Sequence, residues 1–379
     1  MTLSEEQGTG KTEDTPPFLT SLYINPTKFC NLSCRHCWVA PPYKAKITDG
    51  DDGELSMGEI IDVVRSAMEV GLCSVKLTGG EPLLREDLEQ LLEFCARSGI
   101  DVLIETNGTL ITRKTAKMFA EYGVSHISVS LDSACEEIHD FFRGHKGAYK
   151  RALKGIENLM EEYRAPQIIM SLYKESLDGF EDFLRLMARL GISEVKLNTI
   201  TPVGRGGEML SRKDLPGIKE ILEFSKDLTS RVPECYGGEV YLDLPLAFKK
   251  LGEIKNNSCF FCKLKNILGL LSDGSVSICG IAYMDKDLIF GNVKGNPDMI
   301  SHIWRNNYLL RKIREDIPAR LEGVCGICVF KKYCQGACRA EAYYRSKSLT
   351  APLWFCQEAY NQGLFPATRL IPEELRAKL

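Results

Sequence analysis

Thr20-Ser21-Leu22-Tyr23-Ile24-Asn25-Pro26 is a strand-like run, and three residues later the chain reads Cys30-Asn31-Leu32-Ser33-Cys34-Arg35-His36-Cys37. The second stretch places three thiols at C-x3-C-x2-C just past the end of a strand. Three thiolates can hold a four-iron cluster and leave one iron without a protein ligand. A cluster used only for electron transfer takes four Cys. An open coordination position is what a catalytic metal site keeps for its substrate, as open zinc sites do. A zinc knuckle, or chance clustering in a Cys-rich chain, is the plain alternative.

Working outward from this stretch, short β-rich runs alternate with longer amphipathic ones. The strand-like runs are residues 22–25, 74–77, 101–105, 126–131, 167–171 and 194–198. Helix-like runs fall between them at 57–70, 85–98, 111–122, 149–163 and 177–190, with a further helix near 213–232. Residues 178–190 illustrate the pattern, with Phe180, Phe183, Leu184, Met187 and Leu190 on one face. Strand–helix alternation of this kind predicts an α/β fold with a parallel sheet. Six strands predict a partial (βα)6 TIM-like barrel rather than the full eight. The polar markers fall in one place. Cys30–Cys37 follows the first strand, Gly79-Gly80-Glu81-Pro82 the second, and Thr106-Asn107-Gly108 the third, while Ser130 and Asp132 close the fourth. All lie at strand C-terminal ends, where parallel barrels place their active sites.

After about Pro233 the rhythm stops and cysteines cluster: Cys259, Cys262, Cys279, Cys325, Cys328, Cys334, Cys338 and Cys356. Residues 270–279 read as a hairpin turning at Asp273-Gly274. The expected organisation is a disordered N-terminus over 1–19, the barrel over 20–235, a Cys-rich domain over 236–360 and a tail over 361–379. The chain has 379 residues, a net charge of −3 and 15 cysteines. Charges of both signs with so small a net value point away from nucleic acid. No apolar run is long enough to span a bilayer, and residues 1–20 lack the apolar core of a signal peptide. The expectation is a cytoplasmic protein. There thiols stay reduced, so metal binding is the better reading of 15 Cys than disulfides.

Cys30-x3-Cys34-x2-Cys37 together with Gly79-Gly80-Glu81-Pro82 on a βα barrel resembles the radical S-adenosylmethionine (radical SAM) superfamily. The last third, reading Cys262, Gly274-x4-Cys279, Cys325-x2-Cys328-x5-Cys334-x3-Cys338 and Cys356, resembles its SPASM extension. The resemblance runs from Leu22 to Cys356. It implies that Cys30, Cys34 and Cys37 ligate a catalytic four-iron cluster whose open iron takes the amino and carboxylate groups of S-adenosylmethionine. Gly79, Gly80 and Glu81 would then meet the methionine amino group. His36 matches a position against the adenine, and Ser130 one that contacts the ribose. Asn107 and Arg143 are candidates for the cofactor's polar groups, Arg143 having a surface ion pair as its equal alternative. Two auxiliary clusters would be held by Cys259, Cys262, Cys279 and Cys338, and by Cys325, Cys328, Cys334 and Cys356. Cys259-x2-Cys262 is a tighter pair than the pattern calls for. If Cys259 is not a ligand, the first auxiliary cluster has an open iron. Cys73 and Cys95 read as core residues.

The chemistry so implied is reductive cleavage of S-adenosylmethionine to a 5′-deoxyadenosyl radical, followed by hydrogen abstraction from substrate. Auxiliary clusters suit a net oxidation. SPASM proteins mostly modify peptides, so an oxidoreductase acting as a ribosomal peptide or protein maturase is the first expectation. Trp38-Val39-Ala40-Pro41 also resembles such maturases. A peptide substrate, with a separate leader-binding protein where one is needed, and a flavodoxin or ferredoxin reductant would be its partners. Neither nucleic acid nor membrane is expected among them. Gly280, directly after Cys279, stands where sulfatase-maturing relatives carry an Asp base, which disfavours formylglycine formation. The alternative is side-chain chemistry on a siroheme- or haem-pathway tetrapyrrole, with Arg205 of Pro202-Val203-Gly204-Arg205-Gly206 offered to its carboxylates. A third reading, an iron–sulfur or zinc scaffold without catalysis, leaves Gly79-Gly80-Glu81-Pro82 without a role.

Overall fold

The computed structural model describes residues 16–46, 53–255, 262–281 and 285–376. Residues 1–15 of the expected disordered N-terminus, and Cys259, lie outside the described residues. The strands are β1 (Ser21–Ile24), β2 (Ser74–Leu77), β3 (Asp101–Thr106), β4 (His126–Ser130), β5 (Gln167–Leu172), β6 (Glu194–Thr199), β7 (Glu239–Asp243), β8 (Ile267–Leu270), β9 (Ser275–Ser277) and β10 (Ile289–Asn292). They form one open sheet in the order β10-β9-β8-β1-β2-β3-β4-β5-β6-β7. Pairing is parallel from β8 through β1 to β7 and antiparallel at β8–β9 and β9–β10.

The reason for a partial barrel is legible in the strands. Most alternate, with one set of side chains fully buried: Leu22 and Ile24, Val75 and Leu77, Val102 and Ile104. These share a core with helix residues Ile60, Val63, Val64, Leu91, Leu92 and Phe119. The other set is partly exposed and polar. Lys76 pairs with Glu105 at 2.6 Å and Lys196 with Asp243 at 3.5 Å. A parallel sheet covered by helices on both faces would show continuous apolar runs. Only β5 and β8 are buried at every position. The apolar face therefore packs on helices, and the polar face lines the barrel interior.

All six expected strands are present, within two residues of their predicted ends. The structure adds β7, inside the region expected to be the domain boundary, as a seventh parallel strand on β6. It also adds β8, which pairs in parallel with β1. The predicted hairpin of the Cys-rich lobe thus continues the barrel's own sheet. A pairing between residues so far apart in sequence leaves no mark in local pattern. The expected helix 177–190 is two helices, Lys174–Asp178 and Phe180–Arg189, meeting at Gly179. Helix Glu136–Arg143 was not expected, being short and rich in charge. The expected disorder up to residue 19 does not hold for its last residues. Leu19 is fully buried, its N–H bonds to Val70 O at 2.9 Å, and Trp304 donates to Pro17 O at 2.8 Å. Cys95 is a core residue as expected, but Cys73 is exposed. Among the described residues no helix is long and apolar enough to cross a membrane.

Candidate active site

Cys30, Cys34 and Cys37 converge in one pocket with Leu32 and Ala148. The loop that carries them is held from two sides. Cys30 N–H donates to Pro42 O at 3.1 Å, and Lys44 N–H to Cys30 O at 2.9 Å. From the other side, Ser33 and Arg35 donate their N–H groups to Arg143 O and Phe142 O, the last carbonyls of helix Glu136–Arg143. Those are the carbonyls a helix end leaves unpaired. The helix missed in the sequence is therefore the clamp on the cysteine loop. Burial disfavours the thiolate at Cys30 and Cys34, so a thiolate ligand there needs the positive charge that a metal brings.

Gly79-Gly80-Glu81 lies directly against this loop. A Cβ on Gly80 would sit 1.9 Å from Phe29 O, and one on Gly79, which has φ +103°, would sit 2.6 Å from the Asn25 side chain. Glu81 N–H completes the contact by donating to Phe29 O at 2.8 Å. The Glu81 carboxylate is 1% exposed. It accepts from Thr106 Oγ1 at 2.6 Å, Asn107 N at 2.8 Å and Leu83 N at 3.2 Å. Burial raises its pKa, against the pull of these donors. Glu81 was expected to meet the cofactor's amino group. Both of its carboxylate oxygens tie β2's loop to the end of β3. Gly80→Ala is expected to displace the Phe29 carbonyl at a cost of at least about 1–3 kcal/mol. It should lose roughly four iron per chain on reconstitution, while Gly237→Ala, at a site with open space around it, keeps full iron.

Asn107 is buried and donates to Asn31 Oδ1 at 2.8 Å, while its Oδ1 accepts from Thr109. Asn31 in turn donates to Thr109 Oγ1 at 2.8 Å. Asn31 and Thr109 carry no spacing signal, and the sequence reading missed them. Arg143 is not in a surface ion pair. It is 5% exposed, with Nε 2.5 Å from Asp132 Oδ2 and Nη1 3.7 Å from Cys34 Sγ. Asp132 is fully buried and also accepts from Ser171 N at 3.0 Å. Burial works against its charge, but Arg143 and His139 hold its pKa below the usual value.

His36 stacks on Phe142 at 4.5 Å, and Phe142 on Tyr173 at 4.0 Å. Burial first, then Arg143, takes the His36 pKa down to about 3, so the ring is neutral. Its Nε2 is 3.4 Å from Ser171 Oγ. Ser130 closes β4 half-buried, two residues before Asp132. The Arg205 loop is pressed onto the cysteine loop: Arg205 N–H donates to Cys37 O at 3.1 Å, and a Cβ on Gly204 would lie 2.4 Å from Trp38 O. Around this rim several buried polar atoms have no partner: His36 Nδ1, Tyr173 Oη, Asn198 Oδ1, and Nε and Nη2 of Arg205. Asn198 pairs in register with Ser171. Orphaned buried groups are rare in folded proteins. Their concentration beside three thiols fits a polar co-substrate such as S-adenosylmethionine.

The downstream cysteines sort into two sets. Cys338 feels the charges of Cys279 and Cys262. Cys356 is hydrogen-bonded to Cys325 and feels Cys334 and Cys328. Among the described residues no group of three or more His, Cys, Asp or Glu side chains is drawn close enough to hold a single metal ion. A mononuclear zinc site needs every sulfur about 2.3 Å from one metal, whereas a multi-iron cluster spreads its thiolates over several irons. Gly280 packs against the barrel, where a Cβ would meet Asn25 Oδ1 and Thr78 Cγ2 at 3.3 Å. Between the rim of β5–β7 and this lobe lies an open cleft. Trp38, Thr201 and Asp243 line the barrel side, and Cys262, Cys338 and Trp354 the other.

A parallel partial barrel with three convergent thiols at its mouth, backed by a second thiol-rich lobe, is the layout of an iron–sulfur enzyme that works on a substrate held between the two. The Radical SAM superfamily profile matches residues 24–187, and the SPASM iron-sulfur cluster-binding domain matches residues 259–329. The AdoMet-dependent heme synthase of Methanosarcina barkeri is 32% identical over 329 residues, covering 84% of this chain and 90% of its own. The mycofactocin maturase MftC of Mycobacterium tuberculosis is 26% identical over 91% of this chain and 85% of its own. SuiB of Streptococcus suis, bound to its precursor peptide SuiA, superposes with a TM-score of 0.67 at 19% identity, over 91% of this chain and 77% of SuiB. The chain belongs to the radical SAM superfamily of enzymes and carries a SPASM domain. Its cofactors are iron–sulfur clusters and S-adenosylmethionine.

Proposed function

We propose that the enzyme oxidatively modifies a ribosomal peptide or protein held in the cleft between barrel and SPASM lobe. The observation that carries this is the cleft itself. Among the described residues its lining includes Asp243 and Glu341 but no Lys or Arg. Such a lining is a poor host for a polycarboxylate and a good one for a peptide. MftC is named as a maturase, and SuiB is seen with a precursor peptide. On this reading Cys30, Cys34 and Cys37 hold the catalytic cluster. Cys262, Cys279 and Cys338, with Cys259, hold the first auxiliary cluster. Cys325, Cys328, Cys334 and Cys356 hold the second.

When bound, the catalytic cluster and S-adenosylmethionine supply one electron and a radical able to take a hydrogen atom from an unactivated C–H bond. The chain's own residues do the rest. Glu81 and Asn107 lock Gly79-Gly80 and Asn31 against the cysteine loop. Arg143, oriented by Asp132, places a fixed cation beside Cys34, and the neutral His36 presents an aromatic face for the adenine. Ser130 and the unpartnered rim atoms meet the remaining polar groups of the co-substrate. Trp38 and Trp354 line the cleft from its two sides. A flavodoxin or ferredoxin would supply the electron in the cytoplasm, and a separate protein would present the leader where the peptide carries one.

The second reading, tetrapyrrole side-chain chemistry, is favoured by the heme synthase relative and by the unpartnered guanidinium of Arg205. The test is anaerobic. Reconstituted protein receives dithionite and S-adenosylmethionine, with peptides encoded beside the gene or with haem-pathway tetrapyrrole carboxylates, and deoxyadenosine is read by mass spectrometry. Deoxyadenosine that rises with one peptide, together with a mass change in that peptide, is the expected result. A rise with a tetrapyrrole alone overturns the peptide reading. Iron and sulfide of about twelve each per chain are expected, and zinc without sulfide would overturn the cluster assignment.

A further inference from the structure

Arg339 is among the most deeply buried side chains of the protein, at 1% exposure. It follows Cys338 and opens helix Arg339–Ser346. Among the described residues no carboxylate is hydrogen-bonded to it. Nη1 donates to Leu349 O at 3.1 Å and Ala351 O at 2.6 Å, and Nη2 donates to Gly336 O. Nε is buried with no partner at all. A buried cation without an anion is costly, so the charge needs a counterpart. The groups that face it are the thiols of Cys325, Cys338 and Cys334, then Glu341, and it also faces Cys262. Those cysteines come from both auxiliary sets. The loop between Cys334 and Cys338 is shaped around the guanidinium. Gln335, Gly336 and Ala337 all have positive φ, at 52°, 76° and 54°. A Cβ on Gly336 would lie 2.5 Å from Arg339 Cζ. Left-handed backbone at two non-glycine residues flanking a glycine is strained, and here it wraps the chain around a cation.

We propose that Arg339 is a fixed positive charge shared by the two auxiliary clusters, raising the reduction potential of both and leaving its free Nε–H for a sulfur acceptor. The inference rests on the auxiliary-cluster assignment above. Cluster potentials respond to net charge and to hydrogen bonds on sulfur, and a buried cation favours the reduced, more negative cluster. Both clusters then become better acceptors for an electron leaving the substrate. Glu341, on the same helix, keeps a carboxyl group at the cleft.

The test uses the full chain carrying Cys30→Ala, Cys34→Ala and Cys37→Ala, so that only the auxiliary clusters report. Iron and sulfide of about eight each per chain come first. A lower count in this parent removes the auxiliary-cluster assignment, and the proposal with it. Midpoint potentials are then read by EPR-monitored titration. With Arg339→Gln, both potentials are expected to fall at unchanged iron. With Arg339→Lys, which keeps the charge but lacks Nε, both fall by less. Parent potentials in the Gln variant, or a fall confined to one cluster, would overturn the proposal. If the Gln variant fails to hold iron, Arg339→Met, which also removes the charge, decides: both potentials lowered supports the shared charge, and parent values refute it.

Discussion

Cys34→Ala is expected to reduce 5′-deoxyadenosine formation to background while leaving about eight iron per chain in the auxiliary sites. Among the described residues the proposed catalytic pocket gathers three thiols, so on that reading removing one leaves two protein ligands. Cys34 also receives the Arg143 Nη1 contact at 3.7 Å, and its loss puts an apolar methyl in that place. The auxiliary sets share no residue with this pocket, and their lobe joins the barrel through β8, whose pairing with β1 does not involve Cys34. The check is iron quantitation alongside mass-spectrometric assay of deoxyadenosine under dithionite. Continued cleavage of S-adenosylmethionine by this variant would show that the cluster is held elsewhere.

The second large effect is expected at Asp132. Asp132→Asn removes one partner of a fully buried pair and leaves Arg143 charged and uncompensated. Breaking such a pair by removing one partner costs about 3–5 kcal/mol. The loss should appear in anaerobic urea unfolding as a lower midpoint at unchanged slope, and in activity because Arg143 and the end of β5 both take their position from this carboxylate. The pH dependence has a definite sign. Asp132 has a depressed pKa in the folded protein, so its contribution is complete above the ordinary carboxylate value of about 3.9. It is lost as pH falls through the lower folded value. A variant as stable as the parent would mean that Arg143 finds another anion.

Much of the site was legible in the chain because its chemistry depends on local spacing. Cys30, Cys34 and Cys37 lie within eight residues, and Gly79 and Gly80 are required by close backbone approach, which only glycine permits. Each strand's C-terminal end could be placed from period and breakers alone. What local pattern did not carry was the partner of each group. The hold of the Glu81 carboxylate on Thr106 and Asn107 was not legible. Arg143 was divided between surface and site, and burial against Asp132 settles it. Asn31, Thr109 and Arg339 gave no signal, because a hydrogen bond across dozens of residues leaves no periodicity.

The sequence by itself therefore determined the class of chemistry, the six central strands and the rim on which the markers stand. All of these follow from residue types at short, fixed separations. Only the tertiary structure decided that β7 and β8 extend the sheet, that helix Glu136–Arg143 clamps the cysteine loop, and that Cys262 and Cys338 face a cleft shared with the barrel mouth. These are contacts between distant segments. Their free energy comes from burial and from pairing of polar groups that meet only once the chain has closed on itself.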